Sequence, residues 1–143
     1  MGHSAGAYNA GMLALDRRYL HRAGIAARGI AGFIGLAGPY DFLPLRSSVT
    51  RGVFGYPDTP RTTQPIEFAG SDAPPSLLIT GDADTTVDPG NSERLAARLR
   101  ASGNDVDHRI YSGVGHRALV DALPERPRLV RRERGETVDR RAR

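Results

Sequence analysis

Three residue types that together perform nucleophilic catalysis occur in this chain in suggestive settings. Ser4 stands in Gly2-His3-Ser4-Ala5-Gly6, the pattern G-x-S-x-G. In that pattern the serine sits on a tight strand-to-helix turn whose strained backbone pushes the hydroxyl into the open. Strand and helix approach closely there, so the flanking positions are expected to be glycine or very small. The helix that follows presents free N–H groups and a partial positive charge behind the serine. The N–H of Ala5 is therefore a candidate oxyanion donor. Five residues of this kind are a weak signal alone, because a glycine-rich helix start looks the same.

Two further segments supply an acid and a base. Gly81-Asp82-Ala83-Asp84-Thr85-Thr86-Val87 follows an apolar run, and a carboxylate at the carboxyl end of a parallel strand is where sites on such sheets lie. Asp84 is suited to hold a histidine in one tautomer and to stabilise its imidazolium. Asp82 is its rival, and Asp41, in Gly38-Pro39-Tyr40-Asp41, a more distant one. Aspartate beside glycine also serves commonly as a turn stabiliser. His116, in Gly113-Val114-Gly115-His116, lies on a glycine-rich loop from which an imidazole can swing over the serine as general base. The other histidines read differently: His3 packs under the turn, His21 lies on a polar helix and His108 on an edge strand. No pair of them has metal-ligand spacing, and there is no cysteine for a thiolate site. The chain order Ser, Asp, His, each residue at or just after the end of an expected strand, is what gives the three weak signals weight together.

The elements that must position these residues alternate. Ala5–Leu15 reads as a helix, with Gly6, Ala10 and Gly11 small enough to lie close to a sheet. Asp16 caps a short second helix stopped by Gly24. Ile30–Leu36 is a continuous apolar run, the pattern of a strand buried on both faces. Residues 37–75 hold seven prolines and little periodicity, and read as a loop-rich excursion with one short helix. Ser76–Thr80 is a second buried strand. Asp88-Pro89 opens a helix with Leu95 and Leu99 on one face and Gly103 as its stop. Asp107–Tyr111 is a third strand, and Ala118–Leu123 starts a last helix. The alternation predicts an α/β fold with about three parallel strands and flanking helices.

Composition narrows the function. The chain has 143 residues and a net charge of +4. Residues 1–123 carry 12 arginines against 12 acidic residues, and residues 124–143 carry 8 against 4, so the last segment supplies the whole excess. That tail has few apolar side chains and no aromatic residue. It is expected to be a disordered appendage, without the interleaved aromatics of a single-strand nucleic-acid binder. No apolar run is long enough for a membrane span and no signal peptide opens the chain, which points to a cytoplasmic location. The chemistry outlined needs no cofactor.

The chain resembles bacterial carboxylesterases of the α/β-hydrolase superfamily, in the lipase/esterase branch that includes kynurenine-formamidase-like enzymes. The resemblance runs over GHSAGAYNAGMLALD, GFIGLAGPYDFLPL, PPSLLITGDADTTVDPGNSERLAARLRASG and IYSGVGHRALV, within residues 2–120. It implies a triad of Ser4, Asp84 and His116, with Asp41 organising a loop rather than catalysing. It implies a small-molecule ester, or a related amide or formamide, as substrate. Such enzymes carry further strands ahead of the serine and a His-Gly-Gly-type loop that gives the second oxyanion donor, and neither occurs in this sequence. Residues 1–123 are accordingly expected to be the C-terminal half of such a domain. The alternative is a catalytically inactive hydrolase-like fragment or an interaction module. Without the strand that precedes the serine in such enzymes, Ile30–Leu36 is expected to form an uncovered apolar edge, and the isolated chain is expected to be a poor enzyme, or none.

Overall fold

The computed structural model describes residues 1–26 and 29–121. Ala27, Arg28, the end of the expected last helix at Ala122 and Leu123, and the arginine-rich tail expected to be disordered lie outside the described residues. Four parallel strands form one sheet in chain order: β1 (Gly2–His3), β2 (Phe33–Leu36), β3 (Ser76–Gly81) and β4 (Val106–Tyr111). Helices α1 (Ala5–Leu15) and α2 (Arg17–Arg22) link β1 to β2. A long excursion containing α3 (Ser48–Val53) and two 3₁₀ turns links β2 to β3. Helix α4 (Gly90–Ala101) links β3 to β4, and α5 (Ala118–Asp121) follows.

The helices form where their sequences direct. Ala7, Gly11 and Leu15 recur every four residues along α1 and are buried. Asp16 caps α2 by accepting from the Arg18 N–H at 3.1 Å, and Gly24 beyond it adopts a φ of 70°. In α4, Leu95 and Leu99 are fully buried one turn apart. They join Ala7, Leu15, Phe33, Tyr40 and Leu78 in a single core under the sheet. Each large side chain there contributes roughly 1.5–3 kcal/mol of burial. Asp88 accepts from the Gly90 N–H at 3.0 Å at the start of α4, and Gly103 leaves the helix at a φ of 82°.

Two departures from the sequence reading have simple causes. The second strand begins at Phe33 rather than Ile30, because its partner begins at Ser76. Pro74 and Pro75 precede that residue and cannot extend the ladder as donors. Among the described residues there are four strands rather than about three, because Gly2 and His3 pair with Gly35 and Leu36. That short strand covers the carboxyl half of the β2 edge expected to lie open. It also fixes the backbone that enters the turn at Ser4.

Candidate active site

The turn at Ser4 is strained, as its motif predicts. Ser4 has φ 54° and ψ −124°, outside the regions a side-chain-bearing residue prefers. Such a conformation costs on the order of 1–3 kcal/mol and persists only where its surroundings enforce it. Here the enforcement is a hydrogen bond from the Ser4 N–H to the Leu36 carbonyl at 2.9 Å, and the acceptance of the Ala7 and Tyr8 N–H groups by the Ser4 carbonyl. The two motif glycines are not equivalent. A Cβ on Gly2 would run into the carbonyl of Gly6, so the close approach of strand and helix demands glycine at that position. A Cβ on Gly6 would meet nothing within 4 Å among the described residues. Ala5, the first residue of α1, has no intrahelical acceptor for its N–H, and it lines the same cavity as Ser4.

The candidate base comes from far along the chain. His116 follows β4 on a loop beginning at Ser112, and its Nε2 lies 2.9 Å from Ser4 Oγ. Its Nδ1 lies 2.7 Å from Asp84 Oδ2. A carboxylate only accepts, so Nδ1 carries a proton and donates it to Asp84, leaving Nε2 to accept the Ser4 hydroxyl. Close packing of two loops makes this possible: a Cβ on Gly81 would overlap the Val114 carbonyl, so the end of β3 and the histidine loop meet only across a glycine.

Asp84 is held as an anion. Its side chain is fully shielded from solvent, while that of His116 is 12% exposed. Oδ1 accepts the Thr86 N–H at 2.8 Å and the Val87 N–H at 2.9 Å. Burial alone pushes the carboxyl pKa up. The Val87 N–H, the His116 ring and the Thr86 N–H together outweigh it, and the pKa lies below the ordinary aspartate value.

The rival aspartates have other partners. Asp82 accepts the Gly113 N–H at 2.7 Å and the Ser112 hydroxyl at 3.0 Å, so it staples the histidine loop without meeting the imidazole. Asp41 accepts the Arg94 Nε–H at 2.7 Å, and its carbonyl accepts a second Arg94 N–H. That arrangement holds the loop after β2. Two buried amides complete it: Asn91 Oδ1 accepts the N–H groups of Tyr40 and Asp41, and Gln64 Oε1 accepts that of Phe42. The sequence reading missed both, although Asn91 shares the helix face of Leu95 and Leu99, where an apolar residue is the norm. His108 lies half-buried on edge strand β4, and burial lowers its pKa. His21 is exposed on α2.

A cavity of about 970 Å³ opens beside Ser4. Tyr8, Phe42 and Phe54 form an edge-to-face aromatic cluster in its wall, with centroids 5.2–5.9 Å apart, and Val49 and Val53 of α3 extend the apolar surface. The excursion between β2 and β3 thus supplies Phe42, Val49, Val53 and Phe54 to the lining of the cavity. Among the described residues, no group of three or more His, Asp or Glu side chains has a geometry that would hold a metal ion.

The model of the prolyl oligopeptidase family matches residues 1–128. The chain belongs to that family. Prolyl oligopeptidase family members are serine hydrolases, and the solved structures of similar fold are esterases and peptidases of the α/β-hydrolase superfamily. A Lactobacillus plantarum carboxylesterase superposes with a TM-score of 0.66 at 18% identity, over 88% of this chain and 48% of its own. Dipeptidyl peptidase 4 of Porphyromonas gingivalis gives 0.65 at 21% identity, over 80% and 16%. An esterase of the Planctomycetes species Thermogutta terrifontis gives 0.62 at 21% identity, over 80% and 44%. The chain therefore spans less than half the length of each. No curated protein matches it. The superfamily is the one the sequence motifs indicate. Among the described residues, no helix is long and apolar enough to cross a membrane.

Proposed function

We propose that residues 1–123 form the part of a serine hydrolase domain that carries its triad, with Ser4 as nucleophile, His116 as base and Asp84 as acid. The substrate is a carboxylic ester, or a related amide or formamide, with an apolar acyl group. The observation that carries the reading is the unbroken line from Asp84 through His116 to the hydroxyl of a strained Ser4.

In this reading the Ser4 hydroxyl gives its proton to His116 Nε2 as Oγ attacks the substrate carbonyl. The imidazolium so formed is stabilised by the Asp84 carboxylate, and the oxyanion by the Ala5 N–H. His116 then protonates the leaving alcohol or amine, and water attacks the acyl-serine by the reverse path. The aromatic wall and α3 offer an acyl or side-chain group an apolar surface. Peptide cleavage is the second reading, favoured by the family match.

The test is pre-steady-state. Mixing the chain with p-nitrophenyl acetate is expected to release a burst of p-nitrophenolate and leave an acetyl group on Ser4, found by peptide mass mapping. Ser4→Ala is expected to abolish both. Comparison with p-nitroanilides of short peptides separates ester from peptide preference. A burst that survives in Ser4→Ala would refute the nucleophile.

A further inference from the structure

We propose that His3 is a positioning residue for the base: its ring holds the backbone of His116 while Asp84 and Ser4 hold the imidazole. This rests on the triad reading above, and deepens it.

His3 Nε2 lies 2.9 Å from the carbonyl oxygen of His116. A carbonyl oxygen only accepts, so Nε2 carries the proton and the His3 tautomer is set by this contact. The two rings also pack against each other, with centroids 4.7 Å apart and planes tilted by 46°. The partnership joins residues 113 positions apart in the chain.

The histidine loop needs such a tether. It has no regular secondary structure and includes Gly113, at a φ of 72°, and Gly115. Asp82 anchors it at Ser112 and Gly113, four and three residues before the base. Among the described residues, the contact from His3 is the one hydrogen bond made by the His116 backbone itself.

The placement of His3 makes the tether informative. His3 pairs with Leu36 in the sheet and is covalently joined to Ser4, whose N–H bonds the Leu36 carbonyl. One strand end therefore carries both the nucleophile and the clamp on its base, so the spacing between the two is set by adjacent residues. A misplacement of about 1 Å in such a pair costs roughly 10²-fold in rate. The variable position of the G-x-S-x-G motif is, in this chain, a long side chain with a hydrogen-bond donor at its far end. Glutamine shares that feature, and phenylalanine shares only the ring.

The test compares the whole chain with its His3→Phe and His3→Gln variants in three readouts. These are the rate at which a fluorophosphonate labels Ser4, kcat and KM for p-nitrophenyl acetate, and the low-field proton resonance of the His116–Asp84 hydrogen bond. His3→Phe is expected to slow labelling and lower kcat by about 10- to 100-fold, leave KM unchanged, and broaden or remove the low-field resonance. His3→Gln is expected to recover most of the loss. If His3→Phe does not fold, His3→Met makes the same comparison. A folded variant without the donor that labels Ser4 at the wild-type rate and keeps the resonance would overturn the proposal. So would a His3→Gln variant as impaired as His3→Phe. Failure of the wild-type chain to label at Ser4 would instead count against the triad reading, and the resonance would still decide the role of His3.

Discussion

In the proposed triad, replacing Asp84 by asparagine separates the orienting role of the acid from its structural one. The carboxylate makes three hydrogen bonds: two from backbone N–H groups to Oδ1 and one from His116 to Oδ2. An asparagine carbonyl in the place of Oδ1 still accepts from Thr86 and Val87, so the turn that carries it should survive. The amide nitrogen then faces His116 Nδ1 and offers a proton where one was accepted. Nδ1 must become the acceptor, which moves the ring proton to Nε2, facing Ser4 Oγ at 2.9 Å. The base is then occupied at the position it must use. Loss of the correct tautomer in such a triad costs about 10⁴ in kcat, or about 5 kcal/mol of transition-state stabilisation. Stability should change by no more than about 1 kcal/mol, since no backbone group loses its partner. Fluorophosphonate labelling of Ser4 and urea denaturation measure the two quantities on one preparation. Labelling within tenfold of wild type by a folded Asp84→Asn chain would refute the argument, and would turn attention to Asp82.

Three other outcomes follow from the same structure. Gly2→Ala should destabilise the chain by more than about 3 kcal/mol, because the new Cβ meets backbone at Gly6, whereas Gly6→Ala should be neutral or stabilising by up to about 1 kcal/mol; parallel urea melts distinguish them. Tyr40 is fully buried and its hydroxyl has no hydrogen-bond partner among the described residues, so Tyr40→Phe should raise stability by about 1 kcal/mol in the same assay. The folded-state pKa of Asp84 is lowered, so its contribution to stability is complete above the unfolded carboxylate pKa, near about 3.9, and is lost as pH falls through that value towards the lower folded one. Denaturation midpoints should therefore fall more steeply below about pH 4 in the wild type than in Asp84→Asn.

Much of this arrangement is legible in the sequence where the signals are local. Helix α1 and the cap at Asp16 depend on neighbours a few residues away, and they lie where the residues place them. The motif at Ser4 forecasts its own backbone strain. The choice between Asp82 and Asp84 is different. Both flank the same turn after Gly81, and only the fold shows one side chain turned inward beneath Thr86 and Val87 and the other outward to Gly113. The start of β2 depends on where a strand more than forty residues later begins, so the apolar run overstates it. The motif makes both of its glycines look obligatory, whereas the steric demand falls on Gly2 alone. His3 reads as packing beneath the turn, because its hydrogen bond to His116 spans nearly the whole described chain and has no local signature.

The most direct test of the triad is the chemical identity of the reactive residue. Treatment of the chain with a fluorophosphonate, followed by digestion and peptide mapping, should place the adduct on Ser4 in the segment Gly2–Leu15. The adduct should be absent in Ser4→Ala and slowed by orders of magnitude in His116→Ala. Labelling at any other serine, or labelling of Ser4 that is indifferent to the loss of His116, would contradict the account.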